Sequence, residues 1–511
     1  MKYIDTNIIK ETLQLANDIV TPTMGPKGRL AVISDSFSRP YLTDDGVTVA
    51  KELLNLDDPF KKMVAISVVE AASNTEKSAF DGTTLTVLLL NEFYKAGLRL
   101  IDGGMHPQTA ADLIKDAVNN VVTSSLPNYK IQLTEENAEK LIRAVSYITT
   151  KIPEVGELVY EAYTKAGKNM NVMIEHDRQI SASTVEHIDG MVVNSGYFAQ
   201  DLNKLAGEDG IYRRENAKLF LLSEGILTVN GLKGLFASIP DKKTPLVFVF
   251  DKNYNPDMLK GLIENLSANK FDFMLMFIND SNPEEIFLDI AARTGGKIQS
   301  ATYNTTDYLY EYAGTAEKIE IEMNKTTIIS KGDPDEIRRR LDAYKKELKD
   351  NEFTTGYVRA DILNRRMANL GAGVTNIKIA AQSITEYRTI RFKLDDAIGA
   401  VRCALQDGVL LGSGKVLYTI GETNTLIKNA LQAPMQTILS NAGYEIKDKE
   451  RLINNLEIGF DARTGLEVNL YDEGIIDSYT SIETAIKNAA SIACSYLRAY
   501  ILINQNVKEG D

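Results

Sequence analysis

Cysteine is nearly absent from this chain. Its 511 residues include two, Cys403 and Cys494, both in stretches that read as helix. Two such thiols exclude a disulfide framework and fit a reducing compartment. Histidine is almost as scarce: His106, His176 and His187 lie far apart, without the spacing of a zinc site or a His-based triad. No run of 18 apolar residues is present, which excludes a transmembrane helix. Basic blocks are missing, and the formal net charge of −13 argues against nucleic acid or anionic membrane as a main partner. The opening segment, MKYIDTNIIKETLQ, lacks the layout of a signal peptide, so the expected location is cytoplasmic. What remains is a globular composition, 44% hydrophobic and 25% charged, over a length that holds several domains.

Against these absences stands one dense turn, Asp81-Gly82-Thr83-Thr84, between two apolar runs of helical character, Lys61 to Ser73 and Leu85 to Leu98. A tight Asp-Gly turn that opens a helix presents free backbone N–H groups at the positive end of the helix dipole, which suits phosphate. The aspartate adds a hard oxygen ligand suited to Mg²⁺. A second glycine-rich turn, Thr23-Met24-Gly25-Pro26-Lys27-Gly28-Arg29, lies upstream. The pair predicts a nucleoside triphosphate site that is not a P-loop. Gly412-Ser413-Gly414-Lys415 looks like a scrap of a Walker A loop, but the flanking positions that must be Gly and Ser or Thr are Val409 and Val416. That segment reads as a helix-to-helix turn.

Four aspartates stand out: Asp45, Asp81, Asp396 and Asp477. Phosphate hydrolysis needs a metal to neutralise charge and a carboxylate to orient water. Asp45 and Asp81 each precede glycine, and Asp396 lies in Leu394-Asp395-Asp396-Ala397-Ile398, at the start of an apparent helix. Taken singly, each has a plainer reading, since Asp-Gly is a common turn dipeptide and an Asp at a helix start is usually a cap.

Residues 5 to 125 read mostly as helix, with Thr6 to Val20 amphipathic and the two apolar runs buried centrally. Leu30 to Ile33 and Val47 to Val49 read as short strands around the turn Asp44-Asp45-Gly46. From Ile482 to Leu502 apolar residues recur with a 3.6-residue period. The middle differs. Strand-length runs at 219–222, 246–250 and 273–278 alternate with helical patterns at 229–239, 256–267 and 283–293. That alternation predicts a parallel sheet flanked by helices, an α/β domain inserted into an all-α one. A charged helix, Asp335 to Glu352, leads back out, and the tail Asn504 to Asp511 is expected to fray.

Four blocks in order carry a resemblance. TPTMGPKGRLAVISDSFSRPYLTDDGVTVAKE, then DGTT with GGMHP, then LDDAIGAVRCALQDGVLLGSG, then FDARTGLEVNLYDEGIIDSYTSIETAIKNAASIA resemble the GroEL-type (group I) chaperonins over residues 7 to 503. The divergence is similar to that of chaperonins encoded by large bacteriophages. The resemblance implies a multidomain α and α/β fold. An all-α equatorial ATP-binding domain would span 1–127 and 408–511, an intermediate hinge domain 128–189 and 374–407, and an α/β apical polypeptide-binding domain 190–373. It implies an ATPase using Mg²⁺ and K⁺, the K⁺ held partly by backbone oxygens near Thr23 and Asp44. Thr23, Met24, Gly25 and Pro26 would line the ATP phosphates. Asp81 would bind the metal, and Gly82, Thr83 and Thr84 would cradle phosphate. Asp45 and Asp396 would act on the attacking water, Gly414 would lie beside the nucleotide, Asp461, Ala462 and Ile475 near adenine, and Asp477 at the ribose. Unfolded polypeptide clients would contact Tyr197, Leu232, Leu235, Phe236, Met258, Leu262, Ile263 and Leu266. These same apolar stripes equally suit the apical core. The implied assembly is a homo-oligomeric, heptameric ring in a bacterial or phage-infected cytoplasm, and the resemblance leaves open whether a GroES-like co-chaperonin lid binds it.

The chain departs from that pattern in its shortened first strand region, its NQNVKEGD tail, Leu85 after Thr84, and Asp201-Leu202 in place of an aromatic pair. Two other readings compete: a nucleotide-binding ring that serves as holdase or scaffold for a dedicated client, and a soluble phosphotransferase.

Overall fold

The computed structural model describes the whole chain except residues 1, 5–6, 35–39, 168–171, 178–179, 198–201, 203, 208, 224–238, 252–255, 281, 301–309, 351–356, 372, 446–454 and 505–511. The chain opens with β1 (Lys2–Ile4), α1 (Asn7–Val20), the antiparallel pair β2 (Ala31–Ser34) and β3 (Pro40–Thr43), and α2 (Gly46–Lys51). Then come α3 (Pro59–Ala79), α4 (Thr83–Asp102), α5 (Pro107–Asn120), α6 (Ala138–Thr150) and α7 (Pro153–Ala166). The middle holds β4 (Val172–His176), β5 (Thr184–Ile188), β6 (Gly190–Val193), β7 (Tyr212–Ser223), β8 (Leu246–Asp251), α8 (Pro256–Ala268), β9 (Phe273–Ile278) and α9 (Pro283–Thr294). It continues with β10 (Ile298–Ser300), β11 (Gly314–Ile321), β12 (Thr326–Ile329), α10 (Pro334–Asp350), α11 (Tyr357–Gly371) and β13 (Val374–Ile379). The last stretch has α12 (Ile384–Asp407), β14 (Val409–Leu411), α13 (Lys415–Thr423), α14 (Lys428–Asn441), β15 (Ile458–Asp461), β16 (Leu466–Asn469), β17 (Ile476–Ser478), α15 (Tyr479–Arg498) and β18 (Leu502–Asn504). Contacts divide this order into two compact units, Met1–Tyr160 with Ser383–Asp511, and Glu161–Gln382.

The first unit is helical. The apolar stripe of α15 (Ile482, Ala485, Ile486, Ala489, Ala490, Ala493, Leu497) is buried in one core with Leu85, Val87, Leu89, Leu90 and Phe93 of α4. Each such leucine or isoleucine contributes roughly 1.5–3 kcal/mol by leaving water. Gly97 lets the two helices close up: a Cβ there would lie 2.1 Å from Leu497 Cδ1. The periodic pattern overruns the helix, which ends at Arg498. Tyr500 is 90% exposed, and Leu502 to Asn504 leave to pair antiparallel with β1. Two short-strand expectations resolve differently. Leu30 to Ile33 overlaps β2, whereas Val47 to Val49 lies in α2 because Asp45 caps a helix there. α3 is not buried all round, since Ile66 is half exposed.

The second unit is built on a mixed seven-stranded sheet in the order β6-β12-β11-β7-β8-β9, with β10 beside β7. The expected parallel pairs are there, β7 with β8 and β8 with β9, and every residue of β8 and β9 is buried. β10 also pairs parallel with β7, and the other side of the sheet is antiparallel, through β11, β12 and β6. The helical patterns at 256–267 and 283–293 are α8 and α9, and the charged helix is α10, whereas 229–238 lies outside the described residues. A separate three-stranded sheet, β4-β13-β5, brings residues 172–188 and 374–379 together.

Candidate functional site

A cavity of about 330 Å³ opens in the first unit, lined by residues from the Thr23 turn, the Asp44-Asp45-Gly46 turn, the ends of α3 and α6, the start of α4, the middle of α12, and the segments around Ser413, Asp461 and Ile475. Its floor is made of helix starts. α4 begins at Gly82, which adopts φ +88° and supplies no side-chain cap. α13 begins at Gly414, φ +69°, also uncapped, and a Cβ there would meet the Met435 backbone nitrogen at 2.6 Å. Two helix starts without side-chain caps therefore open into one space, and the positive ends of their dipoles suit an anion such as phosphate. The Thr23 turn is held against α14 by Asn441, whose Nδ2 donates to the carbonyls of Thr21 and Met24 at 2.9 and 3.0 Å. Thr23 Oγ1 and Thr84 Oγ1 are 3.4 Å apart, so the two glycine-rich turns meet side by side.

Around this floor stand carboxylates. Asp45 caps α2, its Oδ2 accepting from the Thr48 backbone at 2.9 Å and from the Thr48 hydroxyl. Asp81 Oδ1 accepts from the Gly82 N–H at 2.6 Å, and burial raises its pKa. Asp396 lies in the middle of α12 rather than at a helix start. Burial, with Glu76, Asp45 and Asp81 adding, pushes it up to about 8 against the pull of Lys393. Asp477, in β17, is pushed up to about 7 by burial and by Asp81. Glu76 is raised by burial and by Asp45. Asp44 is the exception. Burial works against its charge, yet the Lys151 ammonium at 2.7 Å, helped by Lys393 at 3.7 Å, holds it below the usual carboxylate range.

Carboxylates in the lining (Asp44, Asp45, Glu76, Asp81, Asp396, Asp461, Glu473, Asp477) outnumber the cations Lys151, Lys393 and Arg463. A polyphosphate can enter such a cavity only with a cation between the charges. Among the described residues no three His, Cys, Asp or Glu side chains gather as a metal cage. That fits Mg²⁺, which is held by one or two carboxylates plus substrate phosphates, better than a metal needing a full protein shell. The buried Ser413 Oγ has no hydrogen-bond partner and lines the cavity, a donor aimed at whatever enters.

All the residues assigned above to nucleotide or water line this one cavity: Thr23, Met24, Gly25, Pro26, Asp45, Asp81, Gly82, Thr83, Thr84, Asp396, Gly414, Asp461, Ala462, Ile475 and Asp477. Residues 16–229 match the model of the TCP-1/cpn60 chaperonin family. The fold of the whole chain is that of solved chaperonins. The chaperonin gp146 from the bacteriophage EL 2 (Pseudomonas aeruginosa), solved in presence of ATP-BeFx, is similar in crystal form II over 99% of this chain and 100% of its own, at 18% identity and TM-score 0.75. Crystal form I of gp146 gives 98% of each chain, 19% and 0.65. A group III chaperonin in the open state gives 98% of each, 17% and 0.58.

Several residues of this cavity escape sequence reading. Lys151 sits at the left-handed end of α6, φ +60°, with no local signal that it turns toward Asp44. Lys393 carried one, lying three residues before Asp396 on the same helix. Arg463 holds Asp461 by paired hydrogen bonds from Nε at 2.9 Å and Nη2 at 2.9 Å, so that carboxylate faces a guanidinium rather than standing free. The Gly412 segment is a strand-to-helix turn, between β14 and α13, not a helix-to-helix one. Its Ser413 and Gly414 line the cavity, and the fully buried Lys415 does not.

The expected client surface needs correction. Tyr197, Leu262 and Leu266 are buried in the core of the second unit, at 1%, 0% and 0% exposure, and the Tyr197 hydroxyl donates to the Gly210 carbonyl. Ile263 is half buried against the same core. Among the described residues of α8 the exposed positions are Lys260, Gly261, Glu264, Asn265, Ser267 and Ala268, a mainly polar face, because Leu262 and Leu266 are spent on covering the sheet. Leu232, Leu235 and Phe236 lie outside the described residues, as does the Met258 side chain.

Proposed function

We propose that this chain is a chaperonin ATPase subunit that binds non-native polypeptides and releases them for folding through a cycle of ATP binding and hydrolysis. The observation that carries the reading is the gathering of widely separated turns and aspartates around one cavity whose floor is two uncapped helix starts. The similarity to gp146, solved in presence of ATP-BeFx, supports a nucleotide there. In this reading the triphosphate lies against the N-termini of α4 and α13, Mg²⁺ is held by Asp81, and K⁺ by backbone oxygens near Thr23 and Asp44. Bound Mg²⁺ would supply neutralisation of phosphate charge. Asp396, once ionised, accepts the proton of the attacking water, and Asp45 orients that water beside it. Asp477 takes the ribose, with Asp461, Ala462 and Ile475 near the base.

The proposal keeps the three-domain division at 1–127 with 408–511, 128–189 with 374–407, and 190–373. Gly190, residues 372–373 and Gly408 are its hinges. The proposal includes a homo-oligomeric ring, of seven members by the resemblance, and contact between subunits has support in two exposed sheet edges. The pairs β1–β18 and β2–β3 are each two-stranded, and Val32, Leu42 and Ile503 stand exposed on them at 69%, 64% and 47%. A GroES-like lid and a cytoplasmic site, in a bacterial or phage-infected cell, belong to the same proposal.

One observation favours the second reading, a holdase or scaffold ring: Tyr197, Leu262 and Leu266 are in the core and present nothing to a client. ATP turnover and the ATP-dependent refolding of a denatured enzyme separate the two. Turnover with recovered enzyme activity is the expected result. Turnover or nucleotide binding without refolding would leave the holdase, and no nucleotide binding at all would overturn both.

A further inference from the structure

Two residues of this chain are of the wrong type for their local structure, and they touch. Phe80 ends α3 in the left-handed region, φ +59° and ψ 12°, its N–H donating to the Glu76 carbonyl at 2.7 Å. Glycine or asparagine is the usual occupant of such a helix end, because a Cβ is strained there. Gly399 lies inside α12, a helix of 24 residues, where glycine weakens the helix relative to alanine. A Cβ on Gly399 would fall 2.1, 2.3 and 2.4 Å from Phe80 Cγ, Cδ1 and Cδ2, so the ring lies directly on the bare backbone of α12. Each residue is unfavourable alone, and the contact accounts for both. Strain of this kind persists where the surroundings over-determine it, commonly beside functional sites.

The surroundings are the cavity. Phe80 lines it and is covalently next to Asp81. Gly399 is three residues after Asp396, on the same face of α12. The face continues through Cys403, whose Sγ donates to the Ser78 carbonyl at 3.7 Å, and Asp407, which accepts from the Thr480 hydroxyl at 2.9 Å. One stripe of α12 is therefore docked on the end of α3 and the start of α15, with the Phe80 ring as its steric stop. We propose that Phe80 is a positioning residue: its ring, seated on Gly399, fixes how far α12 settles over the Asp81-Gly82 turn and so where the Asp396 carboxyl enters the cavity. This rests on the ATPase reading above, in which Asp396 acts on water.

The test compares Phe80→Gly, Gly399→Ala and the double variant, as full-length protein, in steady-state ATP turnover and in alkylation of Cys403, with the buried Cys494 as internal control. Phe80→Gly relieves the backbone strain, which offsets part of the packing lost with the ring, and thermal melts check that each variant is folded before turnover is compared. The expected result is a fall in kcat of about tenfold with KM for ATP changed less than threefold, as for a misplaced but intact group. Cys403 should react several-fold faster. Gly399→Ala should lower kcat similarly in the parent and cause no further loss in the Phe80→Gly background, where the ring it would strike is gone. Parental kcat in Phe80→Gly overturns the inference, as does an equal loss of turnover and nucleotide affinity. If the parent chain hydrolyses no ATP, the ATPase reading fails by itself. The Cys403 rate then decides: unchanged reactivity in Phe80→Gly overturns the seating of α12 on the ring.

Discussion

The two units bury carboxylates in opposite ways. In the second, Asp289 is nearly closed off, but Arg340 Nε reaches it at 2.6 Å, Arg366 Nη2 at 2.6 Å and the Tyr344 hydroxyl at 2.6 Å. Glu285 beside it pairs with Arg359 and Arg366, and against the cost of burial those arginines hold it below its ordinary range. In the first, Asp81, Asp396 and Asp477 share a cavity with few cations, and burial raises the pKa of all three. A buried charge needs a partner. The second unit carries its partners in its own sequence, and the network is structural. The first leaves its carboxylates short of cations, which is how a site waiting for an outside cation and a phosphate differs from a brace.

The largest expected effect tests the unpaired side. Asp396→Ala should lower ATP turnover by about 10² to 10⁴-fold while nucleotide binding persists, read by phosphate release and equilibrium binding. Normal turnover would remove Asp396 from its role on water. Next comes the paired side: Arg366→Met leaves Asp289 and Glu285 short of one guanidinium, and chemical denaturation should register a loss of about 3 kcal/mol. A loss near zero would mean the network is no brace.

The pH dependence sharpens the contrast further. Burial pushes the Asp396 carboxyl up to about 8 from its ordinary 3.8. The native state therefore holds a proton that the unfolded chain has released, so stability falls as pH rises from about 4 to about 8 and levels off beyond, by at most about 1.4 kcal/mol per pH unit for that one group. Asp396→Asn should flatten the slope in thermal melts without nucleotide. An unchanged slope would assign it elsewhere. The smallest effect concerns Asp45, which is both cap and cavity wall. Asp45→Ala should cost about 1 kcal/mol from the lost cap. Asp45→Ser, which keeps a capping oxygen, should restore that stability without restoring turnover.

The legibility of the chain follows the same division. The turns of the first unit were readable because Asp-Gly and the glycine-rich segment have local conformational needs: Gly82 and Gly25 both adopt positive φ, a requirement written in residue type. The strands of the second unit were readable from their runs of apolar residues. Orientation was not. Leu262 and Leu266 make the same stripe whether α8 covers a sheet or faces a client, and the apolar pattern does not say which. Asp396 was misread as a helix start because Leu394-Asp395-Asp396 looks like a cap when the preceding turns of α12 are not recognised as helical. Lys151 and Phe80 had no sequence signal, since their roles depend on left-handed backbone at helix ends and on partners more than a hundred residues away.

The amino-acid order alone therefore determines the elements and the chemical repertoire: which turns expose N–H groups, which segments are helix or strand, which carboxylates exist. Those properties are local, set by φ/ψ preferences and side-chain type. Packing decided the rest. It brought Thr23, Asp81, Asp396 and Asp477 to one cavity, raised the three carboxylates by burying them, laid a strained phenylalanine on a helix glycine, and turned Tyr197, Leu262 and Leu266 inward. Burial, desolvation and close contact are properties of three-dimensional neighbours, and a linear sequence does not name them.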